Sequence, residues 1–152
     1  MTTVLLWGGP DDEALLDGLP PQDVLVADWT PGPGAREALL RSFAIARGDG
    51  IGRDVALVGV GLGATAAVSL LLHQRRLGLD LGQVVAVETA WDLDDPISGH
   101  PLPEPGPAVP TTRVDLLGDD PATTEHADAW RDLGWEVRRH PTVTSVAELV
   151  RR

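Results

Sequence analysis

Two kinds of segment alternate along this chain, and that alternation narrows its fold more than any other feature. Six apolar, β-branched-rich stretches recur at Val4–Trp7, Val24–Asp28, Val55–Val60, Val84–Glu88, Arg113–Leu117 and Trp135–Arg139. The first five are nearly continuous apolar runs, the pattern of strands covered on both faces. The sixth carries Arg138 and Arg139 and reads as an edge strand. Helical patterns lie between them. Asp11–Leu19 opens with three acids that suit a helix amino terminus, and Ala35–Arg47 places Ala38, Leu39, Phe43 and Ala46 on one face and stops at Gly48. Ala64–Leu77 is apolar almost all round, Thr123–Leu133 begins with Thr-Thr-Glu and stops at Gly134, and Ser145–Arg151 closes the chain. Such an order predicts an α/β fold, a doubly wound, mostly parallel six-stranded sheet with right-handed crossovers and helices on both faces. At 152 residues one domain over 1–152 is expected, large enough to bury roughly 70% of its unfolded surface.

One stretch breaks the alternation. Asp92–Pro110 (DLDDPISGHPLPEPGPAVP) is acidic and proline-rich and reads as a long surface loop. His100 lies in it with Asp92, Asp94, Asp95 and Glu104, but a proline-broken loop rarely holds metal ligands within tolerance, and the spacing matches no calcium loop. A solvated acidic loop is the expectation, with no metal and no cofactor.

The most informative local motif is Val55 through Ala64, VALVGVGLGA: a strand, a tight glycine turn and a helix. This is the outline of a nucleophile elbow, G-x-S-x-G, in which a strained turn lifts a serine above the sheet. The central position here is Gly61, which has no hydroxyl or thiol, and Thr65 lies a helical turn further on. Serine-type acyl transfer requires an attacking side chain beside a histidine, so covalent catalysis of that kind is not expected.

With this motif in place, the order of parts resembles the α/β-hydrolase fold, and within it the thioesterase-like branch, as a minimal core lacking the family's first strands and helical lid. Leu5-Leu6-Trp7-Gly8-Gly9-Pro10 is similar to the strand and turn that supply one oxyanion-hole amide, and the amide of Leu62 corresponds to the second. Val114 to Pro121 is similar to the strand end and turn that carry the family's acid, and His140 falls where its histidine follows the last strand. The resemblance implies a strand order of 2-1-3-4-5-6 and a crevice at the switch point bearing Gly8, Gly9 and Gly61–Gly63. It also implies Asp120 (beside Pro121, and preferred to Asp119) and His140 as remnants of an acid–histidine pair, which general-base chemistry on water or on a bound substrate would use. The loop 92–110 occupies the position of a lid. The bland readings are a polar turn at Asp119 and Asp120 and an ordinary loop residue at His140.

Trp7, Trp29 and Trp91 each follow a predicted strand, so they either ring the crevice mouth, which suits an apolar acyl or natural-product ligand, or pack under loops. His73 reads as a structural histidine near a helix carboxyl end and His126 as an exposed helix residue.

Composition enters as a set of exclusions. The net charge of −11 opposes nucleic acid and anionic membranes as partners, and no apolar run approaches the roughly 20 residues of a membrane span. Every basic residue is arginine, so lysine Schiff-base and Walker-type chemistry is absent; no cysteine is present either. No basic segment precedes the short apolar run at the amino terminus, and a cytoplasmic location is the default expectation.

Three functions fit these observations. The first is a degenerate hydrolase-like protein binding a small acyl or natural-product ligand, or a carrier-bound chain. The second is an NAD(P)- or nucleotide-binding domain, because Gly59, Gly61 and Ala64 match G-x-G-x-x-A and Glu88 ends the next strand where a ribose-binding acid belongs. The third is a non-catalytic interaction subunit, with a homo-oligomer as one form of it.

Overall fold

The computed structural model describes residues 3–7, 15–27, 29–48, 50, 54–142 and 145–150. Its centre is one parallel sheet of six strands: β1 (Thr3–Trp7), β2 (Val24–Val26), β3 (Val55–Val60), β4 (Gln83–Val87), β5 (Arg113–Leu117) and β6 (Glu136–His140). They lie in the order β2-β1-β3-β4-β5-β6, with every neighbouring pair parallel. The direction of winding reverses between β1 and β3, which makes the carboxyl ends of those two strands the switch point where open α/β sheets place ligands.

Side-chain alternation assigns each strand's residues to two cores. Leu5, Trp7, Val55, Leu57, Val84, Ala86, Val114 and Leu116 face helices α1 (Ala35–Arg47), α2 (Leu62–Leu77) and α3 (Pro121–Asp132). Val4, Leu6, Ala56, Val58, Val85, Val87 and Leu117 face Leu15, Leu16 and Leu19 together with the short helix α4 (Ala147–Val150). Both faces of β3 and β4 are therefore sealed, which explains their unbroken apolar sequences. Strand β2 differs: Val26 is 59% exposed, so β2 is an outer strand open to solvent despite its apolar sequence.

Local chemistry sets the helix ends. Helix α3 starts where the Asp120 carboxylate accepts the Thr123 amide at 3.1 Å, with Pro121 in the first turn, where its missing N–H leaves nothing unpaired. Helix α2 stops at Gly78, whose φ of 69° admits the left-handed turn that lets Leu79 donate to the Gln74 carbonyl at 2.8 Å. The predicted helix at Asp11–Leu19 falls in part outside the described residues; Leu15–Gly18 form a turn. Among the described residues no helix is long and apolar enough to cross a membrane.

Candidate functional site

The turn between β3 and α2 has the geometry of an elbow. Gly61 is at φ 58°, ψ −113°, a conformation that L-residues adopt only under strain, and its amide donates to the Val87 carbonyl of β4 at 2.9 Å. The flanking glycines are there for space. A Cβ on Gly59 would lie 2.1 Å from the Gly63 carbonyl oxygen, and one on Gly63 would lie 1.8 Å from the Trp7 carbonyl oxygen of β1. A Cβ on Gly61 would meet nothing within 4 Å. The steric demand therefore follows G-x-x-x-G, the outer pair of the elbow motif. Gly59 is common to that pair and to G-x-G-x-x-A, whereas Gly63, the tighter of the two, belongs to the elbow pattern alone. The apex has room for a side chain and bears only hydrogen.

Leu62, 49% exposed, is the first residue of α2, so its N–H has no acceptor within the helix. Beside it lies a cavity of about 430 Å³, lined by Trp29, Pro31, Leu62, Thr65 and the loop residues Leu93 to Pro96. Its size is in the range that holds small organic ligands. Thr65 offers no nucleophile there: it is 2% exposed, and its hydroxyl donates to the Ala90 carbonyl at 2.8 Å. Gly8 and Gly9, expected to supply the first oxyanion amide, lie outside the described residues.

The three tryptophans part company. Trp29 lines the elbow cavity. Trp7 is fully buried in the core beneath α2, so it forms no part of a crevice mouth. Trp91 lines a neighbouring cavity of about 230 Å³, stacks on the His126 ring at 3.9 Å and donates its indole N–H to Thr123 Oγ1 at 3.0 Å. His126 is thus half-buried against an indole instead of freely exposed, and this burial holds its pKa below the ordinary histidine value despite nearby Glu104, Glu125 and Asp120.

Asp120 and His140 are not brought together. Asp120 is occupied as the cap of α3, accepting both the Thr123 amide and, at 2.7 Å, its hydroxyl. The Thr123 hydroxyl is the main reason the Asp120 carboxyl titrates below the usual aspartate value. His140 Nε2 is instead 2.9 Å from Oδ1 of Asp115, a fully buried residue in the middle of β5. Register explains the choice. Asp115 pairs with Arg138 and Leu117 with His140, so Asp115 and His140 share the sheet face that packs on α4, opposite α2. Gln83 Nε2 at 2.8 Å, Arg138 Nε at 2.9 Å and Arg113 Nε at 3.8 Å also surround the Asp115 carboxylate. The rungs Val60–Val87–Leu117–His140 place His140 three strands from the elbow, about 14 Å at ~4.8 Å per strand, beyond the reach of an imidazole. Glu88, Asp119 and Asp120 border a separate hollow at the ends of β4, β5 and β6. Glu88 itself follows β4 at φ 50°.

The residues that sequence reasoning missed sit in loop 92–110. Asp95 is fully buried: Ser69 Oγ and the Ile97 amide (2.8 Å) donate to Oδ1, and His73 Nε2 is 2.5 Å from Oδ2. Burial acts to raise this carboxyl's pKa, but the bonds from Ser69, His73 and Ile97 outweigh it, so Asp95 titrates below the ordinary value. The order is serine–aspartate–histidine, with the acid in the middle, so His73 cannot take a proton from Ser69 and this is no catalytic triad. The signal for it in the sequence is the pair Ser69 and His73, four apart on an otherwise apolar helix. Among the described residues no group of three or more histidine, aspartate or glutamate side chains is placed to hold a metal ion.

No family profile and no curated protein matches this sequence. Solved structures do match. An arylesterase structure superposes over 99% of this chain and 71% of its own, at 13% identity and a TM-score of 0.62. An esterase/lipase from an uncultured bacterium covers 92% of this chain and 66% of its own, at 11% identity and 0.61. An S-formylglutathione hydrolase from Staphylococcus aureus covers 99% and 77%, at 12% identity and 0.57. The chain thus spans between about two thirds and about three quarters of these relatives' lengths. At such identities the likeness is one of fold, and that fold is an α/β-hydrolase-like core.

Proposed function

We propose that this chain is an α/β-hydrolase-like protein of the thioesterase-like kind. In this reading it binds a small acyl or natural-product ligand, or an acyl chain presented by a carrier protein, in the cavity beside the elbow, and forms no acyl-serine. The observation that carries the reading is Gly61: an elbow with its flanking glycines in steric register and no atom at the apex to attack a carbonyl. Two further observations support it. His140 is committed to Asp115 on the far face of the sheet, and Thr65 to the Ala90 carbonyl, so neither completes a substitute for serine chemistry. The cavity keeps an indole, Trp29, and an exposed leucine, Leu62, whose amide has no acceptor within α2, which suits an apolar chain ending in a carbonyl.

The test is a fluorescence titration with p-nitrophenyl alkyl ethers, inert analogues whose nitrophenyl group quenches a nearby indole. Wild-type protein is expected to show saturable quenching that Trp29→Phe removes. Quenching by NADH in place of the ethers would favour a nucleotide site. Response to neither, with self-association in sedimentation, would favour an interaction subunit.

A further inference from the structure

We propose that Asp95 is the positioning residue of the elbow cavity: its buried carboxylate latches the proline-rich segment onto α2 and thereby sets which ligands the cavity accepts. The inference rests on the ligand-binding reading above. Residues Leu93 to Pro96, with Gly99, form one wall of the 430 Å³ cavity, while Trp29, Pro31, Leu62 and Thr65 form the other. Leu93 and Asp94 also border the 230 Å³ cavity on the Trp91 side, so this stretch is the partition between two hollows.

A segment with six prolines between positions 96 and 110 has few amides with which to hold a shape. Its later part is tied down elsewhere: Arg75 Nη2 donates to the Ala108 carbonyl at 2.8 Å and Trp135 Nε1 to the Gly106 carbonyl at 2.9 Å. The part that walls the elbow cavity depends on Asp95. Among the described residues, every side-chain hydrogen bond between Asp92–Gly99 and α2 runs through that carboxylate, to Ser69 and to His73. The same residue organises its own turn, since its amide donates to the His100 carbonyl at 2.7 Å and its carbonyl accepts the Gly99 amide at 2.8 Å. A buried carboxylate is costly unless fully bonded, so only one placement of the strap satisfies it, whereas apolar contacts such as that of Ile97 tolerate sliding. The latch fixes the partition in register.

The experiment combines two readouts on Asp95→Ala, on the milder Ser69→Ala and on His73→Gln, which retains a donor. Amide exchange of Ile97 and Gly99 is followed against the core amides of β3 and β4, which report any general loss of the fold. Binding of p-nitrophenyl butyl and decyl ethers is followed by tryptophan quenching. In Asp95→Ala and Ser69→Ala, exchange at Ile97 and Gly99 should rise at least tenfold with the β3 and β4 amides still protected. The butyl-to-decyl affinity ratio should fall about tenfold, because an unlatched partition no longer fits the short chain. His73→Gln should stay closer to wild type on both. Unchanged exchange in Asp95→Ala would overturn the latch, and raised exchange with an unchanged ratio would overturn its role in selectivity. Wild-type protein that binds neither ether would overturn the ligand-binding reading and the selectivity with it, while the exchange arm would still decide whether Asp95 holds the strap.

Discussion

The glycines of the elbow give a prediction that can be worked from distances. An added methyl carbon on Gly63 would lie 1.8 Å from the Trp7 carbonyl oxygen and 2.6 Å from its carbonyl carbon. The closest comfortable C···O approach is about 3.3 Å, so β1 and α2 would have to part by roughly 1.5 Å. Neither neighbour is a flexible side chain that can swing away: both are backbone, and Trp7 itself is fully buried. Overpacking that side chains can absorb costs about 1–3 kcal/mol, so Gly63→Ala should cost about 3 kcal/mol or more. Gly59→Ala, whose Cβ would meet the Gly63 carbonyl oxygen at 2.1 Å, should be nearly as damaging. Gly61→Ala meets nothing within 4 Å, and its cost is that of φ 58° for an L-residue, about 1–3 kcal/mol. Urea unfolding of the three variants gives the order directly. If Gly63→Ala unfolds within about 0.5 kcal/mol of wild type, or if Gly61→Ala is the most damaging of the three, the account of this turn is wrong.

Gly61→Ser should fold yet leave esterase turnover at background, because the hydroxyl returns without a base: His140 is three strands away on Asp115. A burst of p-nitrophenol from that variant would contradict the placement. Asp115→Ala should destabilise by about 3–5 kcal/mol, since it leaves Arg138, His140 and Gln83 around an emptied site, and should raise amide exchange in α4; a loss under about 1 kcal/mol would contradict it. Stability should also fall with acid in two windows. His126 titrates below 6.5 when folded, so the unfolded chain binds the extra proton as pH drops below that value, and the loss should be absent in His126→Phe. Asp95 and Asp120 titrate below 3.8 when folded, so their contribution is complete above that pH and is lost as pH falls below it. A urea midpoint that does not separate wild type from His126→Phe near pH 6 would contradict the first window.

The fold was legible because its signals are local. The covered strands β3 and β4 announce themselves as apolar runs, α1 as a periodic stretch ending at Gly48, and the elbow as glycines at fixed spacing. What was not legible depends on register and on contacts between distant segments. Asp120 looked like the partner of His140 because both follow strands, but the pairing of Asp115 with Arg138 decides which acid shares a face with that histidine. The composition of loop 92–110 describes its backbone well and says nothing of Asp95, whose partners lie more than twenty residues away on α2. Val24–Asp28 reads as a covered strand, yet the strand observed is Val24–Val26 and its place at the end of the sheet leaves Val26 exposed. Trp7 ends a sealed strand and is drawn into the core it closes.

The elbow is proposed to border a ligand site while lacking a covalent nucleophile. Rapid mixing of the wild-type protein with p-nitrophenyl butyrate or an acyl thioester, quenched and followed by intact-mass spectrometry, tests it most directly. With only hydrogen at the Gly61 apex, the mass should stay unmodified at every time point and no burst of product should appear. A stoichiometric acyl adduct appearing with a burst would contradict it.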